Sequence, residues 1–351
     1  MAIRIALFNH KGGVAKTTTA FNLGWMLAAK GKRVILADCD PQCNLTGMVL
    51  GFRGATDLEA LYKSPGVHNI RDGLAPAFES RPAPIVAVKC QPVVGQPNMV
   101  LMPGHIGLAE YEVTLGIAQE LSGTLVTLQN LPGSITFLFE ETARKYNADY
   151  LLIDMSPSLG PVNQNLLMTS HYFLVPMMPD YFSVMATDSL ASVLPRWRAW
   201  SKKAQQQLIL QNATYPFPNV TPKLLGTIVQ NYRLRSGGPS KAFQSWVDEI
   251  KAGVRDKLIP ALRANNMLLP PEAYARAGAP LDKPLLQMSA YNGLIVRSQK
   301  YQAPIFDLTD AQLEQKGVVL ERTKKSMKNF RRLYSEGADK IIGLTNNASG
   351  T

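Results

Sequence analysis

The sequence predicts an α/β fold: a mainly parallel, twisted sheet flanked by helices on both faces, with long Pro- and Gly-rich connections. Three observations carry this. Five short runs, IRIALF (3–8), RVILAD (33–38), YLLID (150–154), YFLVP (172–176) and LLGTIV (224–229), are continuously apolar rather than alternating, as strands covered on both faces are. Helical patterns fall between these runs, the order expected of a parallel sheet with crossover helices. The first run leads straight into a glycine turn and then a helix pattern, the arrangement in which a chain reverses over an anion.

The elements follow in order. Residues 17–30 predict a helix, with Leu23, Met26, Leu27 and Lys30 at helical spacing and Gly31 as its stop. Residues 132–147, 182–200, 240–265 and 316–343 are further helix candidates. The Pro- and Gly-rich stretches 64–104 and 266–284 read as long connections or small elaborations, since neither has the low complexity of a flexible linker. We expect one domain over 1–351, in which 190–351 forms a basic, helix-rich half ending in the amphipathic helix 316–343.

Of the 351 residues, 46% are apolar and 18% charged, which excludes a disordered or fibrous chain. No uninterrupted apolar run is long enough to cross a bilayer, and the start MAIRIALFNHKGG lacks the features of a secretory signal, so the expectation is a soluble, cytoplasmic protein. Cys39, Cys43 and Cys90 are too few for a disulfide framework and lack the second close pair of a zinc site. Charge divides unevenly. Residues 1–189 carry 13 Lys and Arg against 15 Asp and Glu, whereas 190–351 carry 24 against 11. Such a split suggests that the C-terminal half faces a polyanion, nucleic acid or an acidic membrane.

The glycine turn is Asn9-His10-Lys11-Gly12-Gly13-Val14-Ala15-Lys16-Thr17-Thr18. Backbone N–H groups and the helix start would hold a phosphate, Lys16 would reach its outer oxygens, and the Thr17 hydroxyl would bind Mg²⁺. The ordinary pattern G-x-x-x-x-G-K-[ST] fails here, because His10 and Ala15 stand at both glycine places. At the end of the second apolar run, Asp38 and Asp40 would face the same crevice, where carboxylates hold the waters of Mg²⁺ or orient an attacking water. Asp before Pro41 also caps turns. Asp154 ends the third run, where an acid holds Mg²⁺ through a water or simply ends a strand. Asn231 ends the fifth.

These segments resemble the ParA/MinD family of P-loop ATPases, whose deviant motif x-K-G-G-x-x-K-[ST]-[ST] has a lysine ahead of the paired glycines. H-K-G-G-V-A-K-T-T-T looks most like the ParA (Soj-like) branch. Asp38-Cys39-Asp40-Pro41-Gln42-Cys43-Asn44 is similar to D-x-D-P-Q-x-N, and Asp154-Met155-Ser156-Pro157-Ser158-Leu159-Gly160 to D-x-P-P-S-L-G, with Ser156 for a proline. Ala15 replaces the commoner glycine, and His171 stands where an aspartate is usual. The resemblance implies ATP and Mg²⁺ as cofactors, held by Gly12, Gly13, Val14, Ala15, Lys16, Thr17 and Thr18, with Asn231 against the base. Asn231 as a plain turn residue is the competing view. It further implies metal contacts through Thr17, Asp38 and Asp154, hydrolysis through Lys16 and Asp40, and a Lys11 that crosses to the nucleotide of a second copy.

In 318–343, Leu320, Met327, Phe330, Tyr334, Ala338 and Ile341 share one helical face, and Lys324, Lys325, Lys328, Arg331 and Arg332 the adjacent sector. Arg196, Arg198, Lys202, Lys203, Arg233, Arg235 and Lys241 add charge, and Arg297 lies in a segment like the family's arginine segment. Salt-sensitive DNA binding needs only such charges. The family resemblance implies an ATP-dependent homodimer that binds DNA non-specifically, associates with the nucleoid in the ATP state, and hydrolyses ATP weakly until a ParB-like adaptor stimulates it. Its work would be to segregate or position DNA or another cargo. The alternative is a MinD-like ATPase on a membrane, which the mixed apolar face of 318–343 does not favour.

Overall fold

The computed structural model describes residues 1–51, 55–63, 65–121, 126–232, 234–235, 238–239 and 241–346. Ten strands lie among the described residues: β1 (Ile3–Leu7), β2 (Val34–Cys39), β3 (Gln91–Pro92), β4 (Met99–Met102), β5 (Tyr150–Met155), β6 (Tyr172–Met177), β7 (Lys223–Tyr232), β8 (Leu234–Arg235), β9 (Gly238–Pro239) and β10 (Leu286–Ser289). Eight of them form one sheet in the order β10-β7-β6-β1-β5-β2-β4-β3, and β8 pairs with β9 separately. Every pairing in the large sheet is parallel except β3 with β4.

The apolar strands alternate between two cores. Ile5, Leu7, Leu36, Leu152 and Leu174 pack with the helix Lys16–Ala29 and with Met327, Phe330, Tyr334, Ala338 and Ile341 of the C-terminal helix Gly317–Asn346. Ala6, Ile35, Leu151, Ile153 and Val175 face the other side, against Leu138, Leu166, Leu190 and Val247. The second set sits on the helices Leu131–Lys145, Pro161–Met168, Tyr181–Gln206 and Lys241–Gly253. Both faces are covered, which is why the strand runs are apolar throughout.

The stretch 64–104 carries structure that the sequence pattern leaves unassigned. It holds the helix Ile70–Phe78, capped by the Asn69 side chain on Asp72 N, and the strand β4, which joins β2 in parallel register. The candidate helix 240–265 is interrupted. Lys241–Gly253 passes through a π turn at Val254–Leu258 into Ile259–Ala264, where Pro260 sits in the first turn and lacks the N–H that would continue the α ladder.

Candidate nucleotide site and cationic helix

β1 lies between β5 and β6, and its carboxyl end meets theirs. Leu7 is level with Asp154, and Asp154 with Asp38 of β2, so the glycine turn and both carboxylates share one crevice. Asn9 pins the turn: its side-chain amide donates to Pro176 O at 2.8 Å, and its Oδ1 accepts from Lys11 N at 3.0 Å. Gly13 and Ala15 both adopt left-handed backbone, at φ 74° and 56°. Ala15 therefore carries a methyl group in a conformation that glycine enters without strain. It precedes the helix Lys16–Ala29, whose start has no side-chain cap, leaving the first-turn amides to an anion.

Both lysines are folded back. Lys16, buried, donates from Nζ to Asn9 O at 2.9 Å and Lys11 O at 3.3 Å. Burial lowers its pKa, opposed by Asp154 and Asp40. Lys11 pairs with Asp180 Oδ2 and donates to Ser183 Oγ at 3.3 Å. Asp180 also caps the helix Tyr181–Gln206, its Oδ1 accepting from Ser183 N at 2.9 Å. The exposed rings of Tyr181 and Phe182 stand beside this pair, Lys11 Nζ lying 5.9 Å from the Phe182 centroid.

The three carboxylates differ in what they hold. Asp38 is held by three bonds: Oδ2 accepts from Thr46 N at 2.7 Å and Thr46 Oγ1 at 2.6 Å, and Oδ1 from Asp40 N at 3.3 Å. Burial lifts its pKa to about 6 against the pull of those bonds. It anchors the segment 40–46 from beneath. Asp40 accepts from Gln42 N at 3.0 Å, the turn-capping role open to an Asp before Pro. Asp154 is fully buried, and neither oxygen accepts a hydrogen bond among the described residues. Burial and then the Asp38 charge push its pKa to about 8, although the Thr17 hydroxyl and the Lys16 ammonium lie near enough to oppose the shift. A buried carboxylate with two orphaned oxygens, beside a threonine hydroxyl, fits a divalent cation. After it, Asn163 Nδ2 holds the turn by donating to Ser156 O at 2.8 Å and Ser158 O at 2.9 Å.

A family profile described as an AAA domain matches residues 2–208. The sporulation initiation inhibitor Soj of Bacillus subtilis is 33% identical over 59% of this chain and 69% of its own. The chromosome-partitioning ATPase Soj of Thermus thermophilus is 32% identical over 56% and 63%. The chain belongs to the ParA/MinD family of P-loop ATPases. The matched segments span about two thirds of these relatives' own length. Among solved structures, pNOB8 ParA bound to nonspecific DNA superimposes with a TM-score of 0.54 at 21% identity, covering 99% of both chains, a likeness of fold.

In this ParA-like chain the cations of the C-terminal helix are only partly free. Lys324 pairs with Asp310 at 2.7 Å, Arg331 with Asp307, and Arg332 with Glu336 at 2.7 Å. Lys325 and Lys328 are exposed and make no ion pair among the described residues. Arg297, on the separate helix Leu294–Tyr301, donates from Nη1 to Gly293 O at 3.3 Å, while its buried Nε has no partner among the described residues. The side chains of Asn231, Arg235 and Lys241, and the whole of Arg233, lie outside the described residues. No helix among the described residues is long and apolar enough to cross a membrane.

Sequence reasoning missed Asn9, Asp180 and Gln230. Asp180 carried a readable signal, an Asp directly before a helix start. Gln230 had none, since its partners are distant in sequence, and of the two Asn9 contacts only the turn bond from Lys11 N is local. Gln230 is fully buried beneath the phosphate loop, donating to Val14 O at 2.7 Å.

Proposed function

We propose that the chain is a nucleotide-switched, DNA-binding ATPase. Its ATP-sandwiched homodimer binds DNA non-specifically, and partner-stimulated hydrolysis releases it, so that DNA or another cargo is segregated or positioned. The observation that carries this reading is the buried, unpartnered carboxylate of Asp154 beside a loop with two lysines folded back on the protein's own acceptors. The names of the Soj relatives and the DNA-bound ParA neighbour support the choice of partner.

In this reading the amides of Gly12, Gly13, Val14 and Ala15 and the start of the next helix, with Thr17 and Thr18, receive the phosphates. Lys16 leaves Asn9 O and Lys11 O for phosphate oxygens. Thr17 and Asp154 hold Mg²⁺, and Asp38 keeps the Asp40 segment in place beside it. Bound there, the cation would neutralise developing phosphate charge. Asp40 exchanges its turn contact for the attacking water. Lys11 leaves Asp180 and reaches the nucleotide of the second copy. Asn231 contacts the base. Lys325, Lys328, Arg331, Arg332, Lys324 and Arg297 supply contacts to the DNA backbone, which need no base readout. An adaptor of the ParB type accelerates hydrolysis.

The test is DNA retardation in ADP, ATP and a slowly hydrolysed ATP analogue at two salt concentrations, with Lys11→Ala and Lys16→Ala beside the wild type. Binding should require the triphosphate, weaken with salt and vanish in both variants. Binding that ignores nucleotide would refute the switch.

A further inference from the structure

We propose that Gln230, Tyr291 and Tyr334 form a buried relay that couples the phosphate loop to the seating of the cationic C-terminal helix. The inference deepens the proposed switch and rests on it for the meaning of its output, not for its geometry. The chain of bonds is continuous. Gln230 Nε2 donates to Val14 O at 2.7 Å and Thr19 Oγ1 at 3.0 Å. Its Oε1 accepts from the Tyr291 hydroxyl at 2.6 Å, which lies 2.8 Å from the Tyr334 hydroxyl. Tyr334 belongs to the helix that carries Lys324, Lys325, Lys328, Arg331 and Arg332.

Proton bookkeeping gives the relay one direction. A phenol has a single proton, and Tyr291 gives its own to Gln230. Tyr334 must therefore donate to Tyr291, and Gln230, accepting there, offers its amide protons to the loop. Thr19 meanwhile donates to Ala15 O at 2.8 Å. Gln230, Tyr291 and Tyr334 are each no more than 1% exposed. No solvent stands by to replace a broken link, and in such a low-dielectric interior the bonds reinforce one another.

Each end of the relay meets an element that changes state. At the loop, Gln230 grips the Val14 carbonyl. The Val14–Ala15 peptide is planar and trans, so this grip aims the Ala15 N–H the opposite way. In the ligand-free loop Lys16 occupies Asn9 O and Lys11 O. A phosphate that takes Lys16 and the Ala15 amide therefore turns the same peptide plane that Gln230 holds. At the helix, the Tyr291 ring packs on Phe330 with centroids 5.1 Å apart, and the Tyr334 ring on Phe306 at 5.6 Å. The Arg331 guanidinium lies 5.9 Å from the same Phe306 ring. A shift of Tyr334 moves the framework from which Arg331 projects.

Two measurements test the relay on the full chain. The first is hydrogen–deuterium exchange of residues 326–340 with and without the slowly hydrolysed ATP analogue, without DNA. Protection there should change at least threefold in the wild type, and the change should vanish in Tyr291→Phe and Tyr334→Phe. The second is the ratio of Kd values for a random-sequence DNA duplex in ADP and in the analogue. Each Phe variant should lose at least tenfold of that ratio, and the double variant no more than either single. Affinity for a fluorescent ATP analogue separates lost coupling from lost nucleotide binding. An unresponsive 326–340 in the wild type, or a response that persists in both Phe variants, overturns the relay. If the wild type binds no DNA in any state, the proposed function falls while the exchange result still decides the relay.

Discussion

Asp154→Asn should make the ligand-free protein more stable while removing its response to Mg²⁺. The carboxyl is fully buried and its pKa lies at about 8 instead of 3.8. A group whose pKa rises on folding takes up a proton as the chain folds, so its contribution is undiminished below the unfolded pKa and declines as pH rises through the folded one. At about 1.4 kcal/mol per pH unit, the range from 3.8 to 7 amounts to roughly 4 kcal/mol against the folded state at pH 7. Asparagine removes that term but leaves an amide with few partners, which costs about 1–3 kcal/mol. The net gain is about 1–3 kcal/mol, or roughly 2–4 °C in Tm for a chain of this length. The assay is thermal unfolding from pH 5 to 9 in a chelator, then with Mg²⁺ and ATP. The variant's advantage should grow up to about pH 8 and level off above it. Added Mg²⁺ with ATP should raise Tm in the wild type more than in the variant. A variant less stable than the wild type throughout this range, in chelator, would refute the reading of Asp154 as a strained carboxylate kept for a cation.

Three further outcomes follow from other parts of the molecule. Burial, with Arg4 and the N-terminal amine nearby, holds the His171 pKa down at about 3, and its Nδ1 accepts from Arg4 N at 3.0 Å. The folded state thus loses about 1.4 kcal/mol per pH unit as pH falls from 6.5 toward 3, and His171→Asn should flatten that limb of a urea-unfolding profile. Gly133→Ala would place a Cβ 2.0 Å from Tyr215 O and 2.5 Å from Pro216 O. Backbone gives way poorly, so calorimetry should show a net loss of about 1–2 kcal/mol even after the gain in helix propensity. Replacing Lys325 and Lys328 together by alanine should lower the salt dependence of log K for DNA by about 2, since each phosphate contact contributes about 0.9.

Five of the eight strands of the large sheet, β1, β2, β5, β6 and β7, were legible because both faces are buried, so their apolar runs survive without periodicity. The loop was legible because its residues act through consecutive backbone positions. β4 was not: four residues, MVLM, between turns carry too little pattern, and only its pairing with β2 makes it a strand. The helix Ile70–Phe78 hid behind Pro76 inside it. The distant contacts were illegible for a different reason. Lys11 meets Asp180 across 169 residues, and Gln230 meets Tyr291 across 61, distances at which only the folded sheet decides what touches. Sequence could mark Lys324, Arg331 and Arg332 as cations, and the i, i+4 spacing of Arg332 and Glu336 is readable on a helix, but it could not show that Asp310 and Asp307 already hold Lys324 and Arg331.

Those three acids are built-in rivals of any polyanion that reaches the helix. Each phosphate contact made by Lys324, Arg331 or Arg332 exchanges one anion for another, and the displaced carboxylate stays tethered nearby, ready to return. If the helix takes a polyanion as proposed, it would grip less firmly than its count of positive residues suggests and let go sooner, because the competitor never diffuses away. A surface of this kind favours many brief residences along a charged polymer over one long stay.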